Sequence, residues 1–120
     1  MALWKVEGTQ EFTEWFDALD VPIQDTVADT VNMLVQAGPM LPYPYSSAVH
    51  GSVYSHMREL RIQHAGRPYR VFYAFDPRRV AILLVGGVKA GQKRFYARLV
   101  RRADRRYAEH LRELGAREGN

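Results

Sequence analysis

The sequence predicts an α+β fold in which two N-terminal helices pack on a small, mainly antiparallel sheet and a C-terminal helix follows. Apolar residues recur at helical spacing before residue 38 and after residue 91. The segment between them holds short β-branched and aromatic runs separated by Gly and Pro. The predicted order, β-α-α-β-β-β-α, segregates helices from strands, which is typical of helices packed on one face of a sheet.

The first third of the chain contains a short strand and two helices. Leu3–Glu7 is half alternating, and we expect an edge strand there that joins the sheet beside a later strand. Thr9 is a suitable N-cap for a helix that Asp20–Pro22 ends. A second helix fits Ile23–Ala37, and the following Gly38 is a common helix stop.

Three strands are predicted in the middle of the chain, after a loop over residues 39–51 that contains three Pro. They are Tyr54–Ile62, Tyr69–Phe75 and Val80–Val85, with turn residues between them. Both alternating sets of side chains in Tyr69–Phe75 are partly apolar, and Val80–Val85 is apolar throughout. This composition predicts central strands that are covered on both faces.

A long helix is predicted from about Gln92 to Leu114, with a possible break in its middle. Gly115 is a natural stop, and we expect residues 115–120 to fray. With 120 residues and 47% hydrophobic content, the chain fits a single domain over residues 1–120.

Composition excludes several classes of protein. The absence of Cys excludes disulfides, thiolate metal sites and thiol nucleophiles. The N-terminus lacks the apolar core of a signal peptide, and the longest apolar run, Val80–Val88, is about half a membrane span. We therefore expect a cytoplasmic protein with no membrane partner, no metal and no cofactor.

Charge is distributed unevenly along the chain. Residues 1–60 carry two basic and eight acidic side chains, whereas residues 61–120 carry fifteen basic and five acidic ones. In the last helix, arginines stand at positions 98, 101, 102, 105 and 106, and we expect only Asp104 and Glu109 to lie close enough to neutralise them. A phosphate track for RNA explains such a helix, and a solvated surface is the alternative. The predicted RNA-binding residues are Arg94, Arg98, Arg101, Arg102 and Arg105.

Three motifs occur in order in the second half of the chain. They are HMRELR at residues 56–61, GRPYRVFYAFD at residues 66–76 and GVKAGQKRFY at residues 87–96. Together they resemble the RelE/ParE toxins of bacterial toxin–antitoxin modules, most of all the HigB-like, phage Gp49-like branch. The resemblance covers roughly residues 52–111, and the two preceding helices match in arrangement only.

This resemblance implies a RelE-like fold and a metal-independent endoribonuclease. Such a toxin cleaves mRNA, usually on the translating ribosome, and thereby inhibits translation. Its partner is a cognate antitoxin, expected to be a helix-turn-helix protein. Operator DNA is reached only through that antitoxin.

The resemblance also implies the site residues. Arg61 and Arg70 match two strand arginines, which suit an anionic phosphorane because guanidinium groups contact phosphate bidentately. The basic residue after the last strand matches Lys89 or Lys93. The tyrosine of the following helix matches Tyr96, which stacks on a base or orients the phosphate.

The identity of the general base stays open at this point. Well-known members carry two lysines where this chain has Met57 and Glu59. His56 is a candidate catalytic residue because its ordinary pKa lies near neutrality; His64 and the Glu59 carboxylate are the alternatives.

Other interpretations remain beside this one. Arg61 and Arg70 could pair with acidic residues of the first helices, and Tyr96 could be a packing residue. Two alternative functions are a ParE-like inhibitor of DNA gyrase, which needs no catalytic residues, and a non-toxic nucleic-acid-binding module.

Overall fold

The computed structural model describes residues 2–91 and 94–118, and it has an α+β architecture of five strands and three helices. The predicted fold class is confirmed. The elements are β1 (Val6–Gly8), α1 (Gln10–Asp17), α2 (Val21–Ala37), a short 3₁₀ turn (Gly38–Met40), β2 (Ser46–Ala48), β3 (Arg58–His64), β4 (Arg67–Phe75), β5 (Ala81–Val88) and α3 (Phe95–Glu118).

The strands form one sheet in the order β1-β5-β4-β3-β2. β1 pairs in parallel with β5, and every other neighbouring pair is antiparallel. The first strand therefore joins the sheet beside a later one, as predicted. β4 is central and β5 also has a neighbour on each side, which agrees with their apolar composition.

The helices cover both faces of the sheet, so the prediction that they lie on one face is wrong. α1 and α2 pack on one face and α3 packs on the other, because β4 and β5 are apolar on both sides. The first cluster includes Phe12, Val27, Leu34, Leu60 and Val71. The second cluster includes Phe95, Leu99, Ala103, Phe72 and Leu84. Among the described residues, no helix is both long and apolar enough to cross a membrane.

The loop predicted over residues 39–51 contains a strand that sequence patterns did not reveal. β2 has only three small or polar residues, Ser46–Ala48, so it carries no β-branched or aromatic signal. It exists because it pairs with β3 and because the Ser46 hydroxyl hydrogen-bonds the buried Tyr73 hydroxyl at 2.6 Å. The observed order is therefore β-α-α-β-β-β-β-α.

Several predicted ends are also corrected. α2 begins at Val21 with Asp20 at its N-cap position, since Pro22 fits the first turn, where its missing N–H is not needed. β3 begins at Arg58, because the Met57 N–H closes a turn onto the Tyr54 carbonyl at 3.0 Å. α3 is unbroken and passes Gly115, which is tolerated inside a helix at a cost of about 1 kcal/mol.

Two adjacent glycines let both helical layers approach the end of β5. A Cβ on Gly86 would lie 2.3 Å from the Trp15 indole, on the α1 side. A Cβ on Gly87 would lie 3.1 Å from Phe95, on the α3 side. Because α3 begins next to this close approach, the glycines help set where Tyr96 stands over the sheet.

A buried carboxylate ties α3 to the turn between β4 and β5. The Asp76 side chain accepts hydrogen bonds from the backbone N–H groups of Arg78 and Val80 and from the Arg78 guanidinium at 2.7 Å. His110 Nε2 of α3 lies 2.8 Å from Asp76 Oδ2. Burial alone would raise the pKa of Asp76, but the bonds from His110, Arg78 and the backbone hold that pKa below its ordinary value.

Candidate active site

Three charged side chains share the α3-facing side of β3 and β4, and a tyrosine of α3 closes over them. Side chains alternate along a strand, so Glu59 and Arg61 project on the same side of β3. Arg70 stands directly opposite Arg61 in the register. We refer to Glu59, Arg61, Arg70 and Tyr96 as the Glu59 cluster.

The Glu59 carboxylate is the centre of this cluster. Its Oε1 atom accepts a hydrogen bond from the Tyr96 hydroxyl at 2.8 Å and lies 3.4 Å from Arg70 Nε. Its Oε2 atom accepts from the Ser47 hydroxyl at 2.8 Å and lies 3.5 Å from the Arg61 guanidinium. Each carboxylate oxygen therefore meets one hydroxyl and one guanidinium.

The Arg70 guanidinium is fixed from several directions. Its Nε donates to the Tyr96 hydroxyl at 3.1 Å, and another guanidinium nitrogen donates to the Tyr69 carbonyl at 3.0 Å. Arg70 and Glu59 are each only 5% exposed. This pair is consequently pre-organised, which is the condition under which a charged group stabilises a transition state without rearranging.

The cluster carries an excess of positive charge. Like charges that stand directly opposite across two strands repel each other, and a single Glu59 offsets only one of the two arginines. The exposed Lys89 ammonium adds a further charge, 5.1 Å from the centre of the Tyr96 ring. An anion bound beside Arg61 and Arg70 would balance this excess.

Tyr96 is held as a protonated phenol. Burial raises the pKa of Tyr96; the bond from Arg70 opposes that rise, and the bond to the Glu59 carboxylate adds to it. Its ring stacks on Phe72 with 5.9 Å between centroids. At neutral pH the phenol is therefore a hydrogen-bond donor to Glu59, and its oxygen accepts the hydrogen bond from Arg70 Nε.

The two candidate histidines stand elsewhere. His56 Nε2 lies 3.0 Å from the hydroxyl of Tyr107, whose pKa is raised to about 12 by burial and then by Asp76 and Tyr54. His64 Nδ1 lies 2.8 Å from the Thr26 hydroxyl. Of the three candidate bases, Glu59 is the one that the fold brings to the arginines.

Most arginines of α3 fall into two groups. Arg102 and Arg106 bind Glu11 of α1, and the Arg106 Nε to Glu11 Oε1 distance is 2.6 Å. Burial would raise the pKa of Glu11, but these two guanidinium groups hold it below its ordinary value. The expectation that only Asp104 and Glu109 could neutralise this helix is thus wrong. Asp104 instead accepts from the Ser52 hydroxyl at 2.6 Å.

The second group forms a row on the exposed surface. With about 3.6 residues per turn, its members fall within an arc of about 60°. We call it the exposed arginine row: Arg94, which directly precedes α3, and Arg98, Arg101, Arg105 and Arg112.

Comparison with known proteins gives the family. Residues 14–108 match the phage-derived Gp49-like proteins (DUF891). The chain belongs to the Gp49-like family.

Two relatives come from Mycobacterium tuberculosis. The chain is 42% identical over 93 residues to HigB3, and the aligned region covers 77% of this chain and 80% of HigB3. It is 36% identical over 104 residues to HigB2 of the same organism, which covers 85% of this chain and 52% of HigB2. The names of both relatives designate them toxins, and the chain spans about half the length of HigB2.

Solved structures support the same grouping at the level of the fold. The free E. coli toxin RelE, in a variant form, superposes on the Gp49-like chain with a TM-score of 0.60 at 14% identity, covering 85% of this chain and 98% of RelE. A chain of the RelBE2 toxin–antitoxin complex from M. tuberculosis gives a TM-score of 0.55 at 16% identity, covering 75% of this chain and 95% of that one. The predicted membership of the RelE/HigB toxin superfamily is confirmed.

In this Gp49-like chain, the fold brings together Arg61, Arg70 and Tyr96, with Lys89 at the rim. Lys93 lies outside the described residues. The sequence did not reveal Ser47 as a site residue, because its strand, β2, has no β-branched or aromatic residues that would predict a strand. Among residues 2–91 and 94–118, no three His, Asp or Glu side chains are grouped so that they could hold a metal ion.

Proposed function

We propose that the chain is the toxin of a type II toxin–antitoxin module and acts as a metal-independent endoribonuclease on mRNA, in the cytoplasm and on the translating ribosome. The observation that carries this proposal is the Glu59 cluster, which sets a fixed carboxylate beside two opposed arginines. Family membership supports the toxin role, because relatives of this chain are designated HigB toxins.

The proposed reaction uses the RNA's own nucleophile. The 2′-oxygen attacks the adjacent phosphorus and the bond from phosphorus to the 5′-oxygen breaks, which yields a 2′,3′-cyclic phosphate and a 5′-hydroxyl. Glu59 accepts the proton of the 2′-hydroxyl, and Lys89 donates a proton to the departing 5′-oxygen. Solvent then restores both groups.

Arg61 and Arg70 stabilise the charge that develops on the phosphorane. Arg61 and Arg70 stand opposite each other across two strands and both guanidinium groups approach Glu59, so we propose that together they contact the non-bridging oxygens of one phosphate. Tyr96 and Ser47 are positioning residues, since each donates to one oxygen of Glu59. No step in this scheme requires a metal ion.

We further propose a cognate antitoxin, a helix-turn-helix protein that neutralises the toxin and links it to operator DNA. The RelBE2 complex, a fold relative of this chain, is by name a toxin–antitoxin complex. Co-expression of the product of the adjacent reading frame should restore growth.

The deciding experiment is induced expression in bacteria, followed by mapping of mRNA ends. We expect growth arrest, with new mRNA fragments that carry 5′-hydroxyl ends and therefore ligate to an adaptor only after phosphorylation. Fragments with 5′-phosphate ends would contradict the proposed chemistry. Growth arrest with intact mRNA and broken DNA would instead indicate a gyrase inhibitor, and expression without any phenotype would indicate a non-toxic binding module.

The exposed arginine row provides a second prediction, because guanidinium groups that meet phosphates release counterions. Arg101→Ala should weaken binding to a non-cleavable 2′-O-methyl RNA and should reduce the slope of log Kd against log salt by about 0.7. Fluorescence anisotropy across a salt series measures this slope.

The neighbouring Arg102→Ala is the matched control, since Arg102 already binds Glu11. We expect its salt slope to remain that of the wild type while its stability falls. Equal salt slopes for the wild type and both variants would exclude the exposed arginine row from the RNA interface. A reduced slope for Arg102→Ala alone would instead assign the phosphate contact to the arginines that bind Glu11.

A further inference from the structure

A pocket adjoins the Glu59 cluster at the edge of β3. β2 pairs with β3 only over Arg58–Leu60, so the rest of that edge is not covered by a strand. The Tyr45 carbonyl accepts the Arg61 N–H at 2.9 Å, and beyond this bond α2 and the loop before β2 form the walls of a pocket of about 620 Å³. We call it the edge pocket.

The edge pocket shares a wall with the proposed active site. Arg61 and Arg70 line it, and both belong to the Glu59 cluster. A phosphate held by the two guanidinium groups would therefore place the attached nucleotide at the mouth of this pocket. The pocket volume falls within the usual range of small-ligand sites, about 300–1,000 Å³.

The walls combine flat apolar surface with groups that both donate and accept hydrogen bonds. The partly exposed Tyr45 ring and two prolines provide the apolar surface. Thr30 and Gln63 provide a hydroxyl and an amide. A nucleobase has this same combination, because its faces are apolar and its edge carries donors and acceptors.

Two polar groups at this place lack strong partners. Thr30 is only 8% exposed, and within residues 2–91 and 94–118 the acceptor that its hydroxyl reaches is the Thr26 carbonyl at 3.5 Å, the outer limit of a hydrogen bond. Among the described residues, Arg61 Nε is the buried side-chain nitrogen or oxygen that has no hydrogen-bond partner. Unpaired buried groups are costly, so a ligand that supplies acceptors here is favoured.

By contrast, the other threonine of the pocket is already satisfied. The Thr26 hydroxyl lies 3.1 Å from the Pro22 carbonyl and 2.8 Å from His64 Nδ1. The groups available to a ligand are therefore Thr30, Gln63 and the arginine wall.

We propose that the edge pocket binds one nucleobase of the substrate RNA, next to the scissile phosphate, and that Thr30 and Gln63 determine which base is accepted. This inference rests on the proposed endoribonuclease function, and it adds a sequence preference that the Glu59 cluster alone does not provide. Tyr45 stacks on the base whatever its identity.

The first test reads sequence preference directly. Purified toxin is given RNAs in which the positions flanking one cleavage site are randomised, and the products are sequenced. The wild type should favour one base at one fixed position. Thr30→Val and Gln63→Leu should each reduce that preference about tenfold, whereas Tyr45→Leu should lower cleavage of all sequences alike.

Thr13→Val is the matched control. Thr13 lies on α1, outside the edge pocket, and its hydroxyl also donates to the carbonyl four residues earlier. The substitution therefore removes the same kind of hydroxyl from a helix away from the pocket. We expect it to keep the wild-type preference. A preference that survives both Thr30→Val and Gln63→Leu would overturn the proposal, and Gln63 is exposed, so its variant remains informative if Thr30→Val does not fold.

A binding measurement separates this inference from the proposed function. The four nucleoside 5′-monophosphates are titrated into isotope-labelled toxin, and the backbone amide signals of Thr30 and Gln63 are followed by NMR. Shifts at these residues support the pocket even if the protein cleaves no RNA. Cleavage of RNA without shifts here would leave the endoribonuclease in place and refute the edge pocket.

Discussion

Arg70→Lys is expected to lower the rate of mRNA cleavage by about 10²–10³-fold, the range seen when one transition-state donor is removed from an enzyme. Lys keeps the positive charge beside the buried Glu59, so the fold should survive. A single ammonium cannot, however, reach Glu59, Tyr96 and the Tyr69 carbonyl with the fixed geometry of a guanidinium. Single-turnover cleavage of an mRNA on programmed ribosomes measures the effect.

Arg67→Lys is the control, because Arg67 begins the same strand but is exposed and does not belong to the cluster. It should cleave at the wild-type rate. Arg70→Ala is less informative, since it removes the closest ionic partner of a buried carboxylate and should cost about 3–5 kcal/mol of stability. Wild-type cleavage by a folded Arg70→Lys variant would remove this residue from the mechanism.

A large effect on stability is also expected at Asp76. Asp76→Ala leaves the Arg78 guanidinium, His110 and two backbone N–H groups without their shared acceptor, and it should lower the free energy of unfolding by about 3–5 kcal/mol at neutral pH. Urea denaturation measures this loss. Asp76→Asn retains size and one acceptor oxygen, so it should lose less.

The same residue predicts a pH dependence. The pKa of Asp76 is lower in the folded chain than its ordinary value of about 3.9, so the folded state binds fewer protons near that pH than the unfolded state does. Its stabilising contribution is therefore complete above about pH 5 and is lost as the pH falls through the folded pKa.

The free energy of unfolding of Asp76→Asn should fall less steeply in acid than that of the wild type. If the free energy of unfolding falls equally steeply with decreasing pH in the wild type and in Asp76→Asn, this assignment is contradicted. Glu11, whose pKa is also lowered, retains its acid response in both.

Local patterns predicted the helices, the central strands and the first strand at the sheet edge, because each depends on periodicity within a few neighbouring residues. They did not predict that the first strand is parallel to β5. They failed for β2, whose three residues form a strand only through pairing with β3. They also placed all helices on one face, although the two-sided apolar pattern of Tyr69–Phe75 already argued that both faces of the sheet are covered.

The grouping of side chains in the candidate site was predictable where a sequence motif and a predicted strand coincide. Arg61 and Arg70 follow from neighbouring strand motifs, and the register sets them opposite each other. Glu59 could be named only as one of three candidate bases, since nothing local separates a strand carboxylate from His56 or His64. Glu11 and Arg102 are 91 residues apart in the sequence. The spacing of residues within one helix or strand cannot predict a contact between two such distant elements.

The order of elements along the chain has a consequence for the cell that makes this protein. β3, β4 and β5 are joined by short turns and can pair as they emerge from the ribosome, whereas β1 must wait for β5, and the Thr9 hydroxyl bonds the Leu84 carbonyl 75 residues later. Tyr96, which closes the Glu59 cluster, belongs to α3, which is synthesised after all five strands. A nascent chain therefore lacks the complete cluster until α3 has left the ribosome and docked on the sheet, so the strands that carry Glu59, Arg61 and Arg70 are made before the proposed activity is possible.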